Sequence, residues 1–133
     1  MREIKFRGKR LDNGEWIYGS LLVSHFKDDK KERYFITQFS GNYTFEHEVD
    51  PATVGQYTGL KDKNGKEIWE DDVMRFITEF GETMTSEVAF MNGFFYVQGE
   101  DDDDIYGISY AVESMNAEII GNIHDTPELL KTE

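Results

Sequence analysis

Three Asn-Gly pairs, Asn13-Gly14, Asn64-Gly65 and Asn92-Gly93, constrain this chain more than any other feature. Asparagine and glycine tolerate the positive φ angles of tight hairpin turns, so each pair marks a chain reversal. The first separates residues 3–11 from 15–22, the second 56–60 from 67–69, and the third 87–91 from 94–98. All six flanks carry β-branched or aromatic residues, which suit a pleated, half-buried surface. Three antiparallel hairpins are predicted.

Alternation supports the same reading. Ile4 and Phe6 share one face of a strand whose other face carries Glu3, Lys5, Arg7 and Lys9. Residues 34–39 have apolar side chains on both faces, which predicts a strand buried on both sides. Residues 71–77 and 118–123 complete the strands. Helical signals are few: Thr126-Pro127-Glu128 has a cap, a first-position proline and an acidic first turn, and residues 111–117 suit a short helix. Residues 27–33, dense in mixed charge, read as an exposed loop or helical turn. The fold expected is mainly β, built of short antiparallel strands and hairpins, with α+β as the alternative.

Charge narrows the function classes. Of 14 basic and 27 acidic residues, positions 1–66 hold 12 and 10, a net of +2, and positions 67–133 hold 2 and 17, a net of -15. Such an acidic balance disfavours broad attraction to nucleic acid, which needs clustered Lys and Arg. The absence of cysteine removes disulfides, thiolate nucleophiles and cysteine-ligated metals. The purest apolar run, Leu21-Leu22-Val23, is far below membrane-spanning length. A cytoplasmic protein without a membrane partner is expected. An aromatic content of 14% argues for a packed core, and the shift in charge places a boundary near residues 49–55. Two regions follow, 1–50 and 51–133.

The run from Val49-Asp50-Pro51 through Val54-Gly55-Gln56-Tyr57-Thr58-Gly59-Leu60-Lys61-Asp62-Lys63-Asn64-Gly65-Lys66-Glu67-Ile68-Trp69-Glu70-Asp71-Asp72-Val73 closely resembles the signature of the YopX family of phage and prophage proteins. The start, Arg2-Glu3-Ile4-Lys5-Phe6-Arg7, and the end, from Glu118-Ile119-Ile120-Gly121-Asn122-Ile123-His124 to Leu130, agree with it. The resemblance implies a phage-encoded protein whose later part folds as an SH3-type barrel after a β-rich N-terminal part. It implies no activity. The family usually has Glu-Gly-Asp where this chain has Glu70-Asp71-Asp72, so a conformation open to glycine would cost an aspartate here.

Candidate chemistry is sparse. Glu100-Asp101-Asp102-Asp103-Asp104 is the most conspicuous polar run; Asp102, Asp104, Gly107 and Glu113 match positions 1, 3, 6 and 12 of an EF-hand loop, but Tyr106 occupies position 5 and no helix precedes it. A solvated loop is the better reading. His25, His47 and His124 form no close ligand pair, and His47 reads as half-buried and hydrogen-bonded on a strand face shared with Phe45 and Val49. Ser109 lies in only a partial likeness to a nucleophile elbow and reads as a strand residue within 105–110. The glycines sit at turns, and no phosphate-cradling loop with lysine exists, so no cofactor is expected. Glu70 and Asp72 are a weak acid–base pair better read as a solvated strand end. Lys5, Arg7 and Lys9, with Arg10, suit contact with phosphate, a solvated strand face, or pairing with acidic groups of the later half or of a second copy, and the 17 acidic residues of that half rank protein contact above nucleic acid.

The function expected is therefore a non-enzymatic accessory protein that self-associates and docks a host or phage protein. Tyr57 and Trp69, both suited to packing, join Glu70, Asp72, Asp101, Asp102, Asp103 and Asp104 as the candidate interaction surface. Two other readings stand beside it: an acidic mimic of nucleic acid that occupies a DNA-binding host protein, and a metal-dependent hydrolase built from the histidines and the aspartate run.

Overall fold

The computed structural model describes residues 2–27 and 31–130. They form two compact units, Met1–Tyr57 and Thr58–Glu133.

The first unit contains β1 (Phe6–Lys9), β2 (Trp16–His25), β3 (Glu32–Ser40), β4 (Tyr43–Val49), a 3-10 turn at Pro51–Thr53 and the start of β5 (Gly55–Lys61). Its strands are ordered β4-β3-β2-β1-β5. The Asn13-Gly14 reversal joins β1 to β2, with Gly14 at a φ of 72°. β2 serves two neighbours in succession: its residues up to Gly19 pair with β1, and those from Ser20 onward pair with β3. Gly19 sits at this changeover. A Cβ there would strike the backbone oxygen of Thr37, so the close approach of the two strands depends on glycine. Ile17, Ile36 and Val49 form a small core, flanked by Phe6, Leu21, Tyr34 and Val54. Thr53 closes the unit by accepting the Lys9 N–H at 2.8 Å and donating its hydroxyl to the Asp50 carbonyl.

β3 is less enclosed than its apolar content predicts. Ile36 is fully buried, Phe35 is half-buried, and Phe39 is 72% exposed. The last β2–β3 pair is Ser20 with Thr37, so Phe39 lies beyond the point where β2 covers its neighbour. Of the predicted loop at 27–33, residues 28–30 lie outside the described residues; Glu32 already belongs to β3.

The second unit continues β5 and adds β6 (Glu67–Trp69), β7 (Asp72–Ile77), β8 (Thr83–Glu87), β9 (Ala89–Met91), β10 (Phe94–Gln98), β11 (Ile105–Gly107), α1 (Ile108–Ser114), β12 (Glu118–Asn122) and a 3-10 turn at Pro127–Leu130. The remaining two Asn-Gly pairs separate β5 from β6 and β9 from β10; at the latter Asn92 and Gly93 have φ values of 54° and 87°, the pattern of a type I′ turn. Two three-stranded ladders form, β12-β7-β8 and β11-β10-β9. Ile68, Met74, Phe76, Val88, Val97, Ile108, Ala111 and Met115 fill the core between them. The architecture is mainly β.

Two expectations change here. Among the described residues these ladders stay open, in place of the closed barrel that the family resemblance implies. Val88 still bonds to the backbone of Asp71 and Asp72, whereas Ala89 already pairs with Tyr96, so the chain changes partner within one residue. Ser109 belongs to α1, exposed, because β11 ends at Gly107. Ile108, Ala111 and Met115 recur at helical spacing and bury one face, which outweighs the strand-like run before them.

Candidate functional site

The polar groups of the second unit converge where the Glu70-Asp71-Asp72 turn meets the turn after β12. Asp72, 3% exposed, accepts the Trp69 N–H on Oδ2 at 2.7 Å and tightens the β6–β7 reversal. Asp71, immediately before it, has a φ of 74°, in the left-handed region that glycine enters freely. Its N–H donates to the Val88 carbonyl at 2.8 Å and its carbonyl accepts the Ile123 N–H at 3.0 Å. The backbone is thus held from both sides.

After β12 the side chain of Asn122 organises the next turn, its Oδ1 accepting the N–H groups of His124 at 3.0 Å and Asp125 at 2.8 Å. Thr126 returns a hydroxyl bond to the Asn122 carbonyl at 3.0 Å. This turn presents His124 Nε2 to Asp71 Oδ2 at 3.0 Å. Both side chains are largely buried, 16% and 23% exposed. Glu87, the last residue of β8, completes the cluster: burial first, then the Asp71 charge, raises its carboxyl above the ordinary range, while His124 acts in the opposite sense. Glu87 also lines a shallow cavity of about 260 Å³ with Ser86, Tyr96, Gln98 and Leu130.

An imidazole oriented by a carboxylate, near a carboxyl of raised pKa, has the form of an acid–base pair. The adjacent Ser86 hydroxyl donates to the Glu87 carbonyl and accepts the Gln98 N–H, each at 2.9 Å, so it is spent on the backbone. What the cluster visibly does is clamp two turns together across a strained residue. Among the described residues no group of three or more His, Asp or Glu side chains is arranged to hold a metal ion.

A different kind of surface lies in the first unit. Where β3 runs past the β2 changeover, an open groove of about 580 Å³ forms, lined by Tyr18, Gly19, Thr37, Gln38, Phe39 and Phe45. Gln38 Nε2 donates to the Tyr18 carbonyl at 2.9 Å and bridges the parted strands. Tyr43 stands opposite Ser40 at the hairpin end. Phe39 and Tyr43 are each 72% exposed, and Phe45 and Tyr18 nearly half so.

The predicted surface residues are dispersed. Tyr57 and Trp69 are buried, at 6% and 5% exposure, Tyr57 beneath the Lys5 ammonium. Glu70 is half-buried in the turn before Asp71. The acidic run closes on itself: Asp104 accepts the Asp101 N–H on its carboxylate, its own N–H returns to the Asp101 carbonyl, and Asp102 accepts from Gln98 Nε2, leaving Asp103 exposed at the turn. The EF-hand positions part company, Gly107 preceding α1 and Glu113 riding exposed on it. The histidines have separate surroundings: His25 lies 3.8 Å from Glu32, half-buried His47 lines a groove beside Asp12, and His124 meets Asp71.

A family model described as "YopX protein" matches residues 5–131, nearly the whole chain. The chain belongs to the YopX family. No curated protein matches it. Among solved structures, this YopX-family chain is similar to protein EF1440 from Enterococcus faecalis, at 24% identity and a TM-score of 0.60, and to protein yopX from Bacillus subtilis, at 19% identity and a TM-score of 0.63. Each comparison covers 98% of this chain and 100% of the other. At these identities the likeness establishes a shared YopX fold. Sequence reasoning did not anticipate the Asp71–His124 pair or the aromatic groove. The departure from the YopX glycine at Asp71 was the one available signal for the former.

Proposed function

We propose that the protein is an accessory protein of phage or prophage origin, acting in the host cytoplasm as a non-catalytic interaction module that self-associates through the aromatic groove of its first unit. The observation that carries this reading is the concentration of Tyr18, Phe39 and Phe45 around one open groove. Burying an aromatic side chain contributes roughly 1.5–3 kcal/mol, and a two-fold arrangement uses each ring twice. Such rings stand exposed at a cost in solubility that a docking surface explains. The Asp71–His124–Glu87 cluster supports the non-catalytic part, since its neighbouring hydroxyl and backbone groups are committed to holding turns.

Light scattering and sedimentation test the proposal. The wild-type chain is expected to form a discrete oligomer at micromolar concentration, and Phe39→Ser with Phe45→Ser is expected to dissociate it without lowering the melting temperature. A wild-type monomer, or a double variant that still associates, overturns it.

A further inference from the structure

Among the described residues the outer edge of β4 is only half used. The Leu11 N–H donates to the Glu48 carbonyl at 3.1 Å, and the Asp50 N–H donates to the Lys9 carbonyl at 2.8 Å, flanking the isolated bridge between Arg10 and Val49. These bonds fix the direction of the backbone: the N–H and C=O of Glu48 face away from β3. The β3–β4 register runs without a shift from Tyr34–Val49 to Ser40–Tyr43. Because backbone groups alternate sides along an antiparallel strand, those of Glu46 and Thr44 face outward too. The added ladder stops at Leu11, where the chain enters the Asn13-Gly14 turn. Beside this stop lies a groove of about 330 Å³ lined by Leu11, Asp12, Glu46, His47 and Glu48.

We infer that this edge binds an extended peptide segment of a partner protein, which continues the ladder begun by residues 9–11 and carries a basic side chain opposite Glu46. Charge complementarity commits the occupant. Glu46 and Glu48 share one face of β4; Leu11 already stands opposite Glu48 and Arg10 holds the Asp12 carboxylate, so the residue opposite Glu46 is favoured as Lys or Arg, with Glu48 in diagonal reach, and the residue opposite Phe45 is favoured as apolar. A second copy of β4 is a poor occupant, because antiparallel self-pairing sets glutamate against glutamate. The two glutamates also protect the edge from chance pairing, as charged edge strands do. This inference rests on the backbone edge of β4 and stands without the proposed self-association, although Phe45 borders both surfaces.

The experiment uses the full chain with a short alternating Lys-Val peptide, an alternating Glu-Val control, and amide hydrogen exchange with fluorescence titration as readouts. Binding of the basic peptide with new protection at the Thr44 and Glu46 amides is expected, together with no binding of the acidic control. Glu46→Lys with Glu48→Lys is expected to weaken binding roughly tenfold, since each exposed pair contributes little by itself. Glu46→Pro removes an outward N–H that β3 does not use and is expected to weaken binding roughly fivefold to tenfold. Should Glu46→Pro disturb folding, shown by a lowered melting temperature, protection at Thr44 in the wild-type chain carries the decision. Absence of peptide binding overturns the inference. So does binding that depends on charge while Thr44 and Glu46 gain no protection, and so does protection that rises with protein concentration alone, the mark of a second copy. Because scattering reads association separately from peptide titration, loss of one leaves the other interpretable.

Discussion

Asp71 and His124 meet at 3.0 Å, although 53 residues separate them, and the contact closes two turns of the second unit on each other. Asp71 holds the left-handed conformation where the family resemblance places glycine, and its carboxylate gains a partner that glycine lacks. Backbone strain and side-chain bond therefore oppose one another at one residue.

Separating the two effects requires two substitutions. Asp71→Ala keeps the strained φ and loses the bond, and is expected to cost about 1–3 kcal/mol in denaturant unfolding. Asp71→Gly loses the same bond but relieves the strain, and is expected to be the more stable of the two variants by about 1 kcal/mol. Equal losses would show that the turn carries no strain.

Asp62, 5% exposed, is a second organising carboxylate: Oδ1 accepts the N–H groups of Asn64 and Lys66, and Oδ2 accepts that of Ile119 at 3.0 Å. Asp62→Ala strands three donors at once and is expected to cost at least about 3 kcal/mol. Asp62→Asn keeps one acceptor oxygen and should fall between, measured by the same unfolding curves.

Glu87 sets a pH dependence. Its carboxyl is raised by burial and by Asp71, so the folded state binds that proton more tightly than the unfolded chain does. Its contribution to stability is present below the ordinary carboxylate range and declines as pH rises through the folded value. Glu87→Gln is expected to raise the melting temperature at neutral pH and to change it little in acid. A variant effect of equal size at both pH values would contradict this assignment.

Gly19 is expected to tolerate no side chain. Gly19→Ala places a methyl against the Thr37 carbonyl at the point where β2 changes partner, and about 1–3 kcal/mol of destabilisation should follow in a thermal melt. Gly14→Ala tests the contrasting case: open space surrounds its Cβ position, and the positive φ alone supplies the cost.

The hairpins and the mainly β character were legible in the sequence because both are local. An Asn-Gly pair needs only its own φ angles, and alternation needs only neighbours two residues apart, so Asn92-Gly93 specifies its turn without help from the rest of the chain. The expected cost at Asp71 was legible for the same reason. Ser109 was misread because its strand-like surroundings are local, whereas the burial of Ile108, Ala111 and Met115 that selects a helix depends on the core they enter. The open ladders, the meeting of Asp71 with His124, and the groove beside Phe39 depend on which strands end opposite which. Side chains remote in sequence acquire neighbours only when strand register is set, and that register is decided by packing across the whole unit, which no short segment contains.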